Sequence, residues 1–149
     1  MRRLTIGACG AVLLLTAGCA GMQRGDTLAM ERRSLYERLG GKPAIAAVVE
    51  GFVGNVAGDG RINARFAHAD IPRLKTMLVD QLCEASGGPC VYTGQSMTDA
   101  HRGMRISDGE FGALVEDLVR ALDRFKVPAA ETNELLAALG GMKPQIVGQ

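Results

Sequence analysis

The chain carries two histidines, His68 and His101, and four cysteines, Cys9, Cys19, Cys83 and Cys90. Imidazoles serve as bases or metal ligands, and thiols ligate metals or pair, so spacing decides among these roles. A hydrolase triad needs a serine on a tight elbow with base and acid in reach, and no serine here has that frame. Zinc held by Cys83, Cys90 and a histidine would need a fourth ligand and another spacing. Gly40-Gly41-Lys42 lacks the rest of a phosphate-binding loop, and no Cys-x-x-Cys-His run offers covalent haem attachment. His101 is left. It lies in a short amphipathic stretch, Met97 to Gly103, flanked by Met97, Met104 and Ile106. A neutral imidazole directed into an apolar pocket suits an axial ligand of haem iron. Taken alone, a histidine on an apolar face is more often a plain core residue.

The elements that must position His101 are helical. Ile45, Val48, Val49, Phe52, Val53 and Val56 recur at spacings of three and four after Pro43, and Gly58-Asp59-Gly60 stops the run. A second helix is expected from Asp70, with Pro72 in its first turn and Ile71, Leu74, Leu78 and Leu82 on one face, ended by Gly87-Gly88-Pro89. Ser107-Asp108-Gly109-Glu110 is a capping box opening a helix with Phe111, Leu114, Val115, Leu118, Leu122 and Phe125 inward. Pro128 begins the last helix, with Leu135, Leu136 and Leu139 facing the core before Gly140-Gly141. No alternating strand or hairpin signal is found, so the fold class is all-α.

The N-terminus reads as a leader. Met1-Arg2-Arg3 precedes an apolar run from Leu4 to Ala17, too short for a comfortable membrane span. Leu15-Thr16-Ala17-Gly18-Cys19 resembles a bacterial lipobox, with Thr16 where that pattern prefers leucine. The resemblance implies a signal peptide over 1–18 and a diacylated Cys19 as the new N-terminus, anchored to a membrane. Ala20 rather than aspartate next to it implies outer-membrane sorting, on the periplasmic side. An ordinary leader cut near Ala17 is the alternative. Residues 19–33 are then a lipidated tether, and 34–149 form one globular domain. The 149 residues suit one domain with a modest core, 47% of them hydrophobic but only 4% aromatic. Loss of Arg2 and Arg3 with the leader leaves 15 basic against 16 acidic side chains, so no basic face points to nucleic acid. With Cys9 removed and Cys19 lipidated, Cys83 and Cys90 remain around a flexible turn. An oxidising periplasm favours a disulfide between them, against two buried thiols.

Ser34-Leu35-Tyr36-Glu37-Arg38-Leu39-Gly40-Gly41 resembles the opening of a group 1 truncated haemoglobin, whose minimal first helix ends in a glycine pair. Val48-Val49-Glu50-Gly51-Phe52-Val53, Arg65-Phe66, Ile71-Pro72-Arg73-Leu74-Lys75, Gly87-Gly88-Pro89, Tyr92-Thr93-Gly94 and Met97 through Ile106 follow in that family's order, covering about Ser34 to Gly141. The resemblance implies a two-over-two helical sandwich around haem b (iron protoporphyrin IX), with His101 as the proximal iron ligand. It implies that Phe52, Phe66 and Phe111 pack the haem, within a pocket that also draws on Leu82, Met97 and Ile106. The tyrosine common after the pocket phenylalanine is here Val53, the distal-histidine position is Leu74, and a position often holding glutamine is Leu78. Three apolar residues therefore face the sixth-ligand site. A donor hydrogen bond to a partly negative ligand contributes about 1.5–3 kcal/mol. Its loss weakens oxygen retention by roughly 10- to 100-fold.

Met77, beside Leu78, could serve as a sixth ligand, though methionine on a helix usually fills space. His68 falls in the turn before the second long helix and reads as a solvated loop residue. Arg73, Lys75, Arg102 and Arg105 could pair with haem propionates, or form a solvated basic face. The expected function is a haem protein that binds a diatomic gas (O2, NO or CO). The alternatives are a haem redox enzyme, such as a nitric-oxide dioxygenase or weak peroxidase served by a reductase, and a haem-free lipoprotein interaction module.

Overall fold

A computed structural model describes residues 33–149. The expected leader over 1–18, the expected lipidation site Cys19 and the expected tether up to residue 32 lie outside the described residues. Among the described residues no helix is long and apolar enough to cross a membrane.

The order is α1 (Leu35–Arg38), α2 (Gly41–Gly58), a 3-10 turn (Asn63–Phe66), α3 (Ile71–Ala85), α4 (Met97–His101), α5 (Asp108–Arg124), α6 (Ala129–Gly140) and a 3-10 turn (Lys143–Gln145). Among the described residues the only pairing of β type is one parallel bridge between Ile106 and Val147. Side-chain caps open four helices, because the first backbone N–H groups of a helix have no partner within it. Ser34 and Glu37 form a capping box on α1, and Ser107 and Glu110 form the expected one on α5. Asp70 accepts from the Arg73 N–H at the start of α3, and Ser96 from the Asp99 N–H at the start of α4.

Helix α2 is the central element. It packs chiefly against α5 and α3, and α6 closes the second layer against α5 and α3. Its apolar stripe is buried along its whole length, from Ile45 to Val56, as the spacing predicts. Leu118, Ala121 and Leu122 of α5 and Leu135 of α6 meet it from the other layer. Phe125 departs from expectation. It is 43% exposed, because it caps the end of α5 with its ring lying over Gly51 of α2, where an added Cβ would come within 3.0 Å.

Tight turns let short helices pack. Gly40 and Gly41 take φ values of 92° and 74°, the left-handed region that glycine enters without a side-chain clash. At Gly88 the constraint is space, since a Cβ there would stand 2.5 Å from the Tyr36 ring and 2.7 Å from Cys83 Sγ. Tyr36 also donates its N–H to the Ser86 carbonyl at 2.8 Å, tying α1 to the end of α3. Cys83 and Cys90 are joined by a disulfide, their Cα atoms 5.7 Å apart. That bond links the end of α3 to the segment leading into α4.

Candidate functional site

A cavity of about 330 Å³ lies between α3 on one side and α4 with the loop after it on the other, floored by α2 and α5. Of the residues expected at the site, Phe52, Val53, Phe66, Leu74, Leu78, Met97, His101, Ile106 and Phe111 all line it. Met77, considered as a sixth ligand, also lines it. Leu82 does not. Its side chain, 4% exposed, packs instead with Ile45, Val48, Leu122 and Leu135 in the core. The reason is helical register. At 3.6 residues per turn each step of four advances the face by about 40°, so Leu82 is rotated by about 80° from Leu74. Gln81 is rotated by only about 20° from Leu74 and lines the cavity in its place.

His101 sits half-buried at the end of α4, in the wall opposite Leu74 and Leu78. Its Nδ1 lies 2.8 Å from the Met97 carbonyl oxygen, four residues back. A carbonyl only accepts, so Nδ1 is the nitrogen that donates, and Nε2 is the one left without a partner. The Met97 carbonyl thus fixes the orientation of the ring, leaving Nε2 as the nitrogen free to ligate. His68 is exposed, in the turn between the 3-10 turn at Asn63–Phe66 and α3, and does not line the cavity.

Polar groups enter the cavity at few points. Arg65 Nε donates to Glu110 Oε1 at 2.7 Å, and its Nη1 to the Met104 carbonyl at 2.9 Å. The Arg65 guanidinium, with the Ser107 N–H and hydroxyl, pulls the Glu110 carboxyl down to about 2. Tyr92 donates its hydroxyl to the Gln95 carbonyl at 3.0 Å, and burial pushes its pKa up. Gln81 Nε2 reaches the Sδ atoms of Met97 (3.3 Å) and Met142 (3.5 Å), both weak acceptors. The basic side chains considered for propionates are elsewhere. Lys75 pairs with Glu50, Arg102 with Asp99, and none of Arg73, Lys75, Arg102 or Arg105 lines the cavity. Arg65 is the cation in the lining.

Glu110, Tyr92 and Ile146 were not expected in the cavity wall, and Gln81 was considered only as a reserve hydrogen-bond donor. Helical register could have found Gln81, and Glu110 was visible only as a cap. Tyr92 and Ile146 carry no periodic signal, since a loop and the tail bring them in.

A short-helix, all-α sandwich enclosing an apolar cavity with one carbonyl-oriented histidine defines the truncated globin class. The bacterial-like globin family model matches residues 34–147, and the chain belongs to that family. It is 35% identical to a group 1 truncated hemoglobin of Mycolicibacterium paratuberculosis over 116 residues, 78% of this chain and 85% of that one. A group 1 truncated hemoglobin of Tetrahymena pyriformis is 32% identical over 117 residues, 78% of this chain and 97% of the relative. The crystal structure of the Tetrahymena pyriformis truncated hemoglobin in its Fe(III) form superposes with a TM-score of 0.76, covering 78% of this chain and all of that one. The 2/2 hemoglobin of Synechococcus sp. PCC 7002, solved in the cyanomet state with covalently attached heme, gives 0.70 at 32% identity over 76% and 95% of the two chains. The expected two-over-two sandwich is thus the fold of this chain.

Proposed function

We propose that this chain binds haem b through Nε2 of His101 and takes a diatomic gas (O2, NO or CO) on the face lined by Val53, Leu74 and Leu78. The observation that carries this reading is His101 itself: an imidazole in an apolar cavity, with Nδ1 spent on the Met97 carbonyl and Nε2 unspent. The residues present fit the group. Phe52, Phe66 and Phe111 offer apolar walls to a flat ring, and Arg65, whose Nε and Nη1 are held by Glu110 and the Met104 carbonyl, offers its Nη2 to the ring's carboxylates. When bound, haem supplies the iron centre on which the gas is carried.

The chain's own residues set what that site favours. The Met97 carbonyl orients the His101 ring and makes its free nitrogen more basic. The apolar wall of Val53, Leu74 and Leu78 excludes water and donates no hydrogen bond, and the Gln81 amide beside it is directed at the sulfurs of Met97 and Met142. Gases that depend little on a donor, such as CO and NO, are therefore favoured over lasting oxygen storage. The purified full-length protein tests this directly. A Soret band of b-type haem, restored by haem titration of stripped protein, is expected, and a chain that takes up no haem overturns the reading.

The chain is further proposed to act outside the cytoplasm. Residues 1–18 would be a lipoprotein signal peptide, 19–33 the lipidated N-terminus and tether, and 34–149 the working domain. The support is the Leu15–Cys19 motif, together with a disulfide that suits an oxidising compartment. On this reading Cys19 anchors the protein at the periplasmic side of the outer membrane. Mass spectrometry should find an acylated Cys19 at the mature N-terminus, and Cys19→Ser should free the protein from membranes. Mature protein beginning before Cys19 and lacking lipid would remove the anchor.

A further inference from the structure

The tail after α6 is bound to the loop that follows His101, although nothing in the helix pattern required it. Gly148 donates its N–H to the Ile106 carbonyl at 2.9 Å, and Arg105 donates its N–H to the Gln149 carbonyl. Val147 pairs with Ile106 in the one parallel bridge. Lys143 Nζ lies 2.6 Å from Asp108 Oδ1 and 5.7 Å from the Phe111 ring centroid. Ile146 enters the cavity wall itself. On the far side, the Gln81 amide touches both Met142 of the tail and Met97, whose carbonyl holds His101.

We propose that residues 142–149 form a strap that positions His101 and completes the cavity wall through Ile146, an inference that rests on the haem-binding reading above. The His101 segment needs such support. Helix α4 has five residues, none of them fully buried, and a helix so short has no stability of its own. The chain then turns through Gly103 (φ 77°) and Arg105 (φ 51°). A side-chain-bearing residue stays in the left-handed region only where its surroundings over-determine it. At Arg105 the bond from its N–H to the tail supplies that constraint. Movement of the strap would therefore be felt first at Arg105 and Ile106, and through them at His101. Ile146 and Gly148 are positioning residues in this scheme.

Two full-length variants test it. Gly148→Pro removes the N–H that Ile106 accepts and forbids the observed φ of 80°. Ile146→Ala trims the wall while leaving the backbone bonds in place. In haem-free protein, Gly148→Pro should speed amide hydrogen exchange over residues 101–106 on the order of tenfold or more, with α2 and α5 amides unchanged. Loaded with haem, both variants should lose it to apomyoglobin faster, by roughly tenfold, as supporting-residue changes do at metal sites. The ferrous iron–histidine stretching band should shift in Gly148→Pro. Unchanged exchange over 101–106 in Gly148→Pro overturns the strap, whether or not haem loss quickens. A parent chain that takes up no haem defeats the proposed function alone, because exchange in the haem-free protein still decides the strap.

Discussion

On the α3 wall of the cavity, Leu74, Met77, Leu78 and Gln81 all come from one regular helix, and their spacing alone places them. On the opposite wall, His101, Met104 and Ile106 come from a five-residue helix and a loop, joined by Ile146 from the tail. The first wall is held by its own backbone ladder and buried against α2. The second is held by caps, a carbonyl, two sulfur contacts and the strap. A regular helix suffices for a wall that only excludes water. A nitrogen that must face one direction needs bonds that fix its ring, and periodicity does not supply those.

Substitutions across the cavity should break this asymmetry most sharply at the histidine. His101→Ala should abolish stable haem uptake or make it depend on added imidazole, whereas Leu74→Ala should keep the haem. His68→Ala should leave the absorption spectrum unchanged, as its exposed position dictates. Equal haem loss in the two histidine variants would refute the assignment of roles.

The sixth-ligand side can be made polar from α2 without touching the histidine side. Val53 is 8% exposed and lines the cavity. Val53→Tyr should slow oxygen release by roughly 10- to 100-fold if its hydroxyl reaches the gas, the worth of one donor bond. CO release should change much less, since CO gathers less negative charge. Stopped-flow measurements of both gases decide it, and tight oxygen binding in the parent protein would point to a donor already present, Gln81 among the lining residues.

The disulfide joins the two walls, running from the end of α3 to the segment before α4. Closing so short a loop contributes about 2–2.5 kcal/mol in the chain-entropy model. Dithiothreitol should therefore lower the melting temperature by roughly 5–10 °C. Alkylation of both thiols without prior reduction would contradict the bond.

The smallest effect is expected at the rim, where Arg65 chiefly, and then Ser107, hold the Glu110 carboxyl near 2 instead of its ordinary 4.5. A carboxylate with a lowered folded pKa adds stability that is complete above the ordinary value. That stability is lost as pH falls from about 4.5 towards 2. Glu110→Gln should thus make unfolding less steep with pH in that window, while slightly lowering stability at neutral pH through the weakened cap. An identical acid limb in the variant would show that other carboxylates carry it.

Much of this molecule was legible in its residues before any geometry. The stripes on α2 and α5, the capping box at Ser107 and the glycine pairs at 40–41 and 87–88 depend on contacts within a few positions, and local patterns encode these directly. The motif order from Ser34 onward placed His101 in the cavity together with the three phenylalanines. Tertiary packing decided the rest. Leu82 and Gln81 are neighbours whose register with Leu74 already puts them on different faces of α3, but the packing of α3 against α2 decides which face meets the core and which the cavity. Phe125 is apolar and in phase, but α5 ends there and its ring rests on Gly51 at the surface. Arg65 finds Glu110 across 45 positions, and the tail finds Ile106 across about 40. Such pairings follow from where whole helices come to rest, a property no short window of sequence contains.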